Sequence, residues 1–176
     1  MEQVILVDEN DQQTGFMEKM AAHEQALLHR AFSVFIFNSN GAMLLQQRAI
    51  HKYHSGGLWT NACCSHPKPN ETVANAATRR LQEEMGFVTS VHPAFQFLYK
   101  ANFENGLTEH EYDHVFIGTY NGAINLNTEE VENYCFKTIN EIEVDISTNP
   151  TTYTAWFKIA LPKVKAWLQQ NNYQYA

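Results

Sequence analysis

The stretch Asn70-Glu71-Thr72-Val73-Ala74-Asn75-Ala76-Ala77-Thr78-Arg79-Arg80-Leu81-Gln82-Glu83-Glu84-Met85-Gly86 decides the fold, and it reads as one helix. Asn70 suits the N-cap, Glu71 the positive end of the helix dipole, and Gly86 the C-terminal stop. Ala74, Ala77 and Leu81 recur at helical spacing and are expected to face a core. Directly before it, Ala49 to Pro69 is polar, carries Gly56-Gly57 and two prolines, and reads as a long loop. Loops of that length inside compact domains are usually functional. Further upstream, Val4 to Asp8 is an expected strand and Thr14-Gly15 an expected turn. Leu27 to Phe37, rich in aromatic and β-branched residues, is a second strand. Asn38-Ser39-Asn40-Gly41 then turns the chain into Ala42 to Gln47, the returning arm of a hairpin. Downstream, Ala94 to Phe103 and Glu111 to Tyr120 read as strands joined at Glu104-Asn105-Gly106, and Asn133 to Phe136 as a short strand. Thr154 to Gln170 has the period of an amphipathic helix, with Pro162 an expected kink or break. Strands, a helix, strands and then helices predict an α/β chain of the α+β sandwich kind, a mixed sheet flanked by helices.

A chain of 176 residues, 44% hydrophobic and 12% aromatic, is expected to form one globular domain over residues 1–176. The formal net charge of −7 argues against a nucleic-acid partner, because phosphate backbones need dense Lys and Arg. The start, Met1-Glu2-Gln3-Val4, lacks the basic and long apolar segments of a signal peptide. The apolar run Ala31 to Phe37 is too short to span a bilayer. Three cysteines, two of them adjacent (Cys63, Cys64 and Cys135), make a poor disulfide framework and fit a reducing compartment. A cytoplasmic protein with no membrane association is expected.

Five clusters carry chemistry. Trp59-Thr60-Asn61-Ala62-Cys63-Cys64-Ser65-His66-Pro67 sets a thiol two residues from an imidazole in a loop entering a helix, where a thiol can exchange protons. A buried cysteine pair beside an incidental histidine fits the spacing equally well. Arg80 and Glu84 share a helix face. They make either a solvated intrahelical pair or a phosphate-binding cation beside a Mg²⁺-binding carboxylate. Glu109 and Glu111 point to one face of a strand, so that face is either solvated or needs a cation or a shared proton. His23, His29 and His66 taken with two carboxylates would give a mixed nitrogen and oxygen set suited to Mn²⁺, Zn²⁺ or Fe²⁺. Lys19, Arg48, Lys52 and Arg80 are minority cations suited to clamping a diphosphate, or to ordinary solvation.

Glu71, seven intervening residues, and then Arg79-Arg80-Leu81-Gln82-Glu83-Glu84-Met85-Gly86-Phe87, resembles the Nudix box. Two positions depart from it. Ser65 stands where the box has its first Gly, and Arg80 where it has the Glu of its Arg-Glu pair. The departures resemble type I isopentenyl diphosphate isomerase, a branch of that superfamily. So do Glu18-Lys19 with Ala21-Ala22-His23, Leu28-His29-Arg30-Ala31-Phe32-Ser33, Gln47-Arg48-Ala49 with Lys52, Trp59-Thr60-Asn61 through Cys64-Ser65-His66-Pro67, Tyr99, Glu109-His110-Glu111 and Thr154-Ala155-Trp156. The resemblance covers residues 4–160. It implies a Nudix-type sheet flanked by helices and the interconversion of isopentenyl and dimethylallyl diphosphate through a tertiary carbocation. It implies that His23, His29, His66, Glu109 and Glu111 ligate one divalent metal (Mn²⁺, Zn²⁺ or Mg²⁺), and that Glu84 with the Cys64 backbone holds a Mg²⁺ on the diphosphate. Lys19, Arg48, Lys52 and Arg80 would neutralise that diphosphate. Cys64 and Glu111 would exchange protons with the alkene, Tyr99 would assist Glu111, and Trp156 would cover the cation. The competing expectation is a Nudix diphosphate hydrolase, which needs neither Cys64, Trp156 nor the histidines; Arg80 in place of the box Glu counts against it. A non-catalytic Nudix-fold module would lose the carboxylates that are present here, and a zinc site on Cys63, Cys64 and His66 lacks the usual ligand spacing.

Overall fold

His29–Phe37 is buried along nearly its whole length, the pattern of a strand covered on both faces. In the computed structural model, which describes residues 2–103 and 105–175, it is the third strand, β3, of a nine-stranded mixed sheet. In chain order the elements are β1 (Gln3–Val7), β2 (Gln13–Glu18), α1 (Lys19–Glu24), β3, β4 (Met43–Arg48), β5 (Trp59–Asn61), β6 (Cys63–Ser65), α2 (Val73–Met85), β7 (Val91–Asn102), β8 (Thr108–Thr119), β9 (Val131–Lys137), α3 (Ile139–Thr148) and α4 (Ala155–Gln170). β3 runs parallel to β8 over nine residue pairs, His29 opposite Glu111 through Phe37 opposite Thr119. β6 lies antiparallel to β3, and β7 antiparallel to β8. β4 carries β5 and β9.

Side-chain alternation builds two cores from the same strands. Phe32, Val34 and Ile36 of β3, with Leu44 and Phe116, meet Ala76, Ala77, Leu81 and Met85 of α2. Phe35 and Phe37, with Leu45, Val115 and Ile117, meet Trp156, Phe157, Ala160, Leu161 and Val164 of α4. The sheet is thus sandwiched between α2 and α4, the expected α/β architecture. No helix among the described residues is long and apolar enough to cross a membrane.

Several local expectations need correction. The central helix is capped by Thr72, whose hydroxyl accepts from Asn75 N–H, and not by Asn70. Asn70 follows Pro69 in the left-handed region (φ 64°), ending the turn that sends the chain into the helix. Glu71 stays outside the helix and pairs with Arg79. The buried face accordingly uses Ala76 and Ala77, while Ala74 is exposed. Gly86 does end the helix, at φ 72°, where a Cβ would fall 2.1 Å from the Asn125 carbonyl oxygen.

Thr14-Gly15 lies within β2. The turn comes earlier, where the Asp8 carboxylate accepts from Asn10 and Gln12 N–H. Leu27 precedes the strand, which opens at His29, and α1 and α3 were not expected. The long loop contains β5 and β6. α4 continues through Pro162 without a break. The expected turn between β7 and β8 is present at Asn105-Gly106; Glu104 lies outside the described residues.

Candidate active site and metal centre

β6 explains the adjacent cysteines. Cys63 pairs with Val34 and Cys64 with Ser33 of β3, so the two side chains fall on opposite faces of the sheet. Cys63 turns toward α2, with its Sγ 3.5 Å from Glu84 Oε1. Cys64 turns toward α4, where it accepts from Trp156 Nε1 at 3.1 Å and lies 3.0 Å from Asn61 Oδ1 and 3.6 Å from Ser33 Oγ. All three cysteines are free. Burial and the nearby Asp113 carboxyl push the Cys64 thiol up to about 12, so it keeps its proton at neutral pH.

The parallel register of β3 and β8 sets His29 beside Glu111, and the antiparallel register of β7 sets Tyr99 on the other side of Glu111. The Tyr99 hydroxyl lies 2.5 Å from Glu111 Oε2 and 3.0 Å from Glu109 Oε2, bridging the two buried carboxyls. α1 delivers His23, whose Nδ1 is fixed 2.7 Å from the Lys19 carbonyl oxygen; the chain leaving β6 delivers His66, with Nε2 3.0 Å from Glu111 Oε1. His29 Nε2 stands 3.6 Å from the same oxygen, too far for a hydrogen bond. His23, His29, His66 and Glu111 offer donor atoms that all lie within 4.8 Å of one another; so, separately, do His23, His54 and Glu109. Of the five expected ligands, four therefore fall in one group. Glu109 joins through His23, together with a further histidine, His54.

The two carboxyls differ in charge. Burial and the negative Glu111 hold Glu109 well above the usual carboxylate range, so it is protonated. Burial would raise Glu111 too, but His29 and His66 outweigh it and keep Glu111 well below that range. Burial lowers His23, and takes His66 down to about 4 and His54 to about 3. These three rings are neutral at pH 7, the state a metal needs. His23 Nε2, His29 Nε2 and His54 Nε2 are buried without a hydrogen-bond partner. Unpartnered imidazole nitrogens converging on two carboxyls fit a divalent cation.

A pocket of about 540 Å³, its open mouth included, contains Cys64, His66, Tyr99, Glu109, Glu111 and Trp156 in its lining. Lys19, Arg48, Lys52, Arg80 and Glu84 line it too, so all four expected cations share it. Glu84 is buried and lies outside both histidine groups. It accepts from Arg80 at 2.7 and 3.1 Å and from Gln46 Nε2 at 2.9 Å. The pair is therefore no solvated surface bridge. Arg80 also reaches Glu130, 3.2 Å away, and Lys52 pairs with that same carboxylate. Arg48 lies over the Trp156 ring at 5.1 Å, and Lys19 bonds Glu2 at 3.1 Å. His110, between the two glutamates, turns away to the Ala26 carbonyl.

Sequence reasoning missed His54, Gln46, Asp113 and Glu130. Asp113 had an available signal, since it continues the alternation of Glu109 and Glu111 on β8. The hydroxyl of Ser33 donates to it at 2.7 Å, and burial with the Glu111 charge pushes it up to about 8. His54 had none, being a lone histidine in a glycine-bearing loop.

The NUDIX domain family matches residues 27–157. "Isopentenyl-diphosphate Delta-isomerase 2" of Aromatoleum aromaticum is 50% identical over 163 residues, covering 93% of this chain and 86% of that protein. "Isopentenyl-diphosphate Delta-isomerase" of Pectobacterium atrosepticum is 47% identical over 167 residues, covering 95% and 93%. Among solved structures, DR0079 from Deinococcus radiodurans superposes with a TM-score of 0.76 at 17% identity, covering 92% of this chain and 98% of that one, a likeness of fold. The chain belongs to the Nudix superfamily and, within it, to the isopentenyl-diphosphate Delta-isomerase family.

Proposed function

We propose that this chain, working as one domain, interconverts isopentenyl diphosphate and dimethylallyl diphosphate by moving a proton on to carbon 4 and a proton off carbon 2. The observation that carries the reading is a single pocket lined by a protonated thiol, an ionised carboxylate, an indole and four basic side chains. Double-bond transposition needs one group that gives a proton and one that takes one, both held against an alkene, which is a feeble base. Cys64 rests protonated and Glu111 rests ionised, so the pair is already poised in opposite states. Tyr99, hydrogen-bonded to both Glu109 and Glu111, links the protonated carboxyl to the ionised one and offers Glu111 a route to regain a proton.

Trp156 is 2% exposed and its indole N–H donates to the Cys64 sulfur, which fixes the thiol in the ring plane, at the rim of an aromatic face. That face suits the tertiary carbocation, at about 2 kcal/mol or more when water is excluded. Lys19, Arg48, Lys52 and Arg80 would receive the diphosphate, with Glu130 giving up Lys52 and Arg80 as the phosphate charge arrives. His23, His29, His66, Glu109 and Glu111 would hold a divalent ion (Mn²⁺, Zn²⁺ or Mg²⁺), and Glu84 with the Cys64 backbone a Mg²⁺ shared with the diphosphate. Bound there, the metals would supply positive charge that fixes Glu111 and offsets the diphosphate. The free thiols suit a reducing, cytoplasmic setting.

The test is proton NMR of isopentenyl diphosphate with the protein and Mg²⁺ in D₂O. Dimethylallyl diphosphate carrying deuterium is expected. Cys64→Ala and Glu111→Gln are each expected to abolish turnover while staying folded. Phosphate release without isomerisation, or full activity in either variant, would overturn the reading.

A further inference from the structure

His54 belongs to no expected ligand set, yet its environment is that of a ligand. Its ring is stacked on Phe103 (centroids 4.5 Å apart, planes at 10°), with Tyr53 edge-on at 4.4 Å and Trp156 edge-on at 5.9 Å. Its outward nitrogen, Nδ1, lies 3.3 Å from Ser55 Oγ, and its inward nitrogen, Nε2, is buried without a hydrogen-bond partner. Nε2 is 3.3 Å from Glu109 Oε1, yet not aligned for a hydrogen bond with it. A ring anchored at one nitrogen and presenting the other, unpaired, to a carboxylate is how ligating histidines are held.

His23 decides whether this nitrogen serves a separate ion. It is common to both donor groups, but its Nδ1 is committed to the Lys19 carbonyl, leaving Nε2 alone. One lone pair binds one ion, so the two groups cannot each use His23 for an ion of their own.

We propose that His54 is a further ligand of the divalent metal, completing one sphere of four histidines (His23, His29, His54, His66) and two glutamates (Glu109, Glu111). The inference rests on the metal-centre reading above. It makes the loop between β4 and β5 a part of the metal centre, next to Glu109 Oε1, the oxygen that does not accept from Tyr99. Six nitrogen and oxygen donors suit the six-coordinate preference of first-row ions such as Mn²⁺ and Co²⁺ better than the four of structural zinc.

The experiment titrates chelator-stripped full-length protein with Mn²⁺ by calorimetry. It then loads Co²⁺ and counts the hyperfine-shifted, exchangeable imidazole N–H resonances. One ion per chain and four such resonances are expected. His54→Ala and His54→Gln should still bind one ion, about ten- to a hundredfold more weakly, the loss that follows even from removing an outer partner of a ligand. One of the four resonances should disappear. His54→Gln, with its melting temperature compared in the metal-free state, keeps the test valid if the alanine variant misfolds. Unchanged affinity in both variants, only three resonances in the parent, or two ions per chain would overturn the proposal. His23→Ala separates the two levels. If it weakens binding and the His54 variants do not, this inference alone falls; if it does not, the metal-centre reading falls with it.

Discussion

Replacing Arg80 by methionine removes the guanidinium that holds Glu84 inside the protein. The Glu84 side chain is only 7% exposed, and two of its hydrogen bonds, at 2.7 and 3.1 Å, come from Arg80. Without Arg80 the carboxylate keeps the neutral Gln46 amide at 2.9 Å and the Cys63 thiol at 3.5 Å, and Glu130 loses a partner as well. Burial by itself would weaken the charge on Arg80, but Glu84 and Glu130 outweigh it and hold that charge more firmly than in a free side chain. Breaking one side of a buried pair costs about 3–5 kcal/mol, because a charge is left in a poor solvent. At about 2–4 °C per kcal/mol for a chain of this size, the melting temperature should fall by about 6–20 °C. The double variant Arg80→Met with Glu84→Gln removes the stranded charge and should recover about 2–3 kcal/mol of that loss, the coupling expected of directly bonded groups. Urea unfolding at neutral pH, in chelator, measures all four corners of the cycle. A loss below about 1 kcal/mol in Arg80→Met, the value of an exposed ion pair, would refute the reasoning and return the pair to the solvated helix face.

Chelation should destabilise the protein. At a metal concentration of one hundred times Kd the bound state gains about 2.7 kcal/mol. Scanning calorimetry should therefore show melting about 5–11 °C higher with Mn²⁺ than with EDTA, and no difference would mean the histidine cluster holds no ion. Tyr99→Phe removes the hydroxyl shared by Glu109 and Glu111 and should lower kcat about a hundredfold with little change in KM. An unchanged kcat would take Tyr99 out of the proton path. Acid should unfold the metal-free protein, because burial holds His54 near 3 and His66 near 4, below the unfolded value of about 6.5. A depressed folded value gives stability that is present above pH 6.5 and lost as pH falls toward 4, at about 1.4 kcal/mol per unit for each ring. Glu109 and Asp113, held high, oppose this equally in parent and variant. His54→Gln should thus lose about 2 kcal/mol less than the parent between pH 7.5 and pH 5 in urea unfolding, and equal losses would show that His54 is not buried neutral.

The parts of the site legible in the sequence were those set by a single element. Period-two alternation on β8 put Glu109 and Glu111 on one face, and period 3.6 on α2 put Arg80 beside Glu84. The parts set by pairing between elements were not legible. β5 and β6 have three residues each and no pattern of their own, since they are strands only because β4 and β3 lie alongside. Yet β6 is what sends Cys64 to one face and Cys63 to the other. α1, six residues long, is too short to hold by propensity alone and is fixed by its contacts and by the Glu18 cap. His54 reaches Glu109 through a loop with no periodicity to read. Thr72 displaced Asn70 as the cap because Pro69 commits Asn70 to a turn, a choice that three polar residues in a row leave open.

Register joins these two kinds of information. Val115 and Ile117 pack under α4 while Phe116 packs under α2. This alternation runs back along β8, so Asp113, Glu111 and Glu109 face the same side as Val115. A slip of one residue would bury His110 and Tyr112 in their place and drive Phe116 into the wrong core. The apolar residues at the far end of β8 therefore hold the glutamates beside His29 and Tyr99, in the pocket that Cys64 also lines. Polar substitutions at Val115 or Ile117, remote from the pocket mouth, act on the chemistry through the register that their burial enforces.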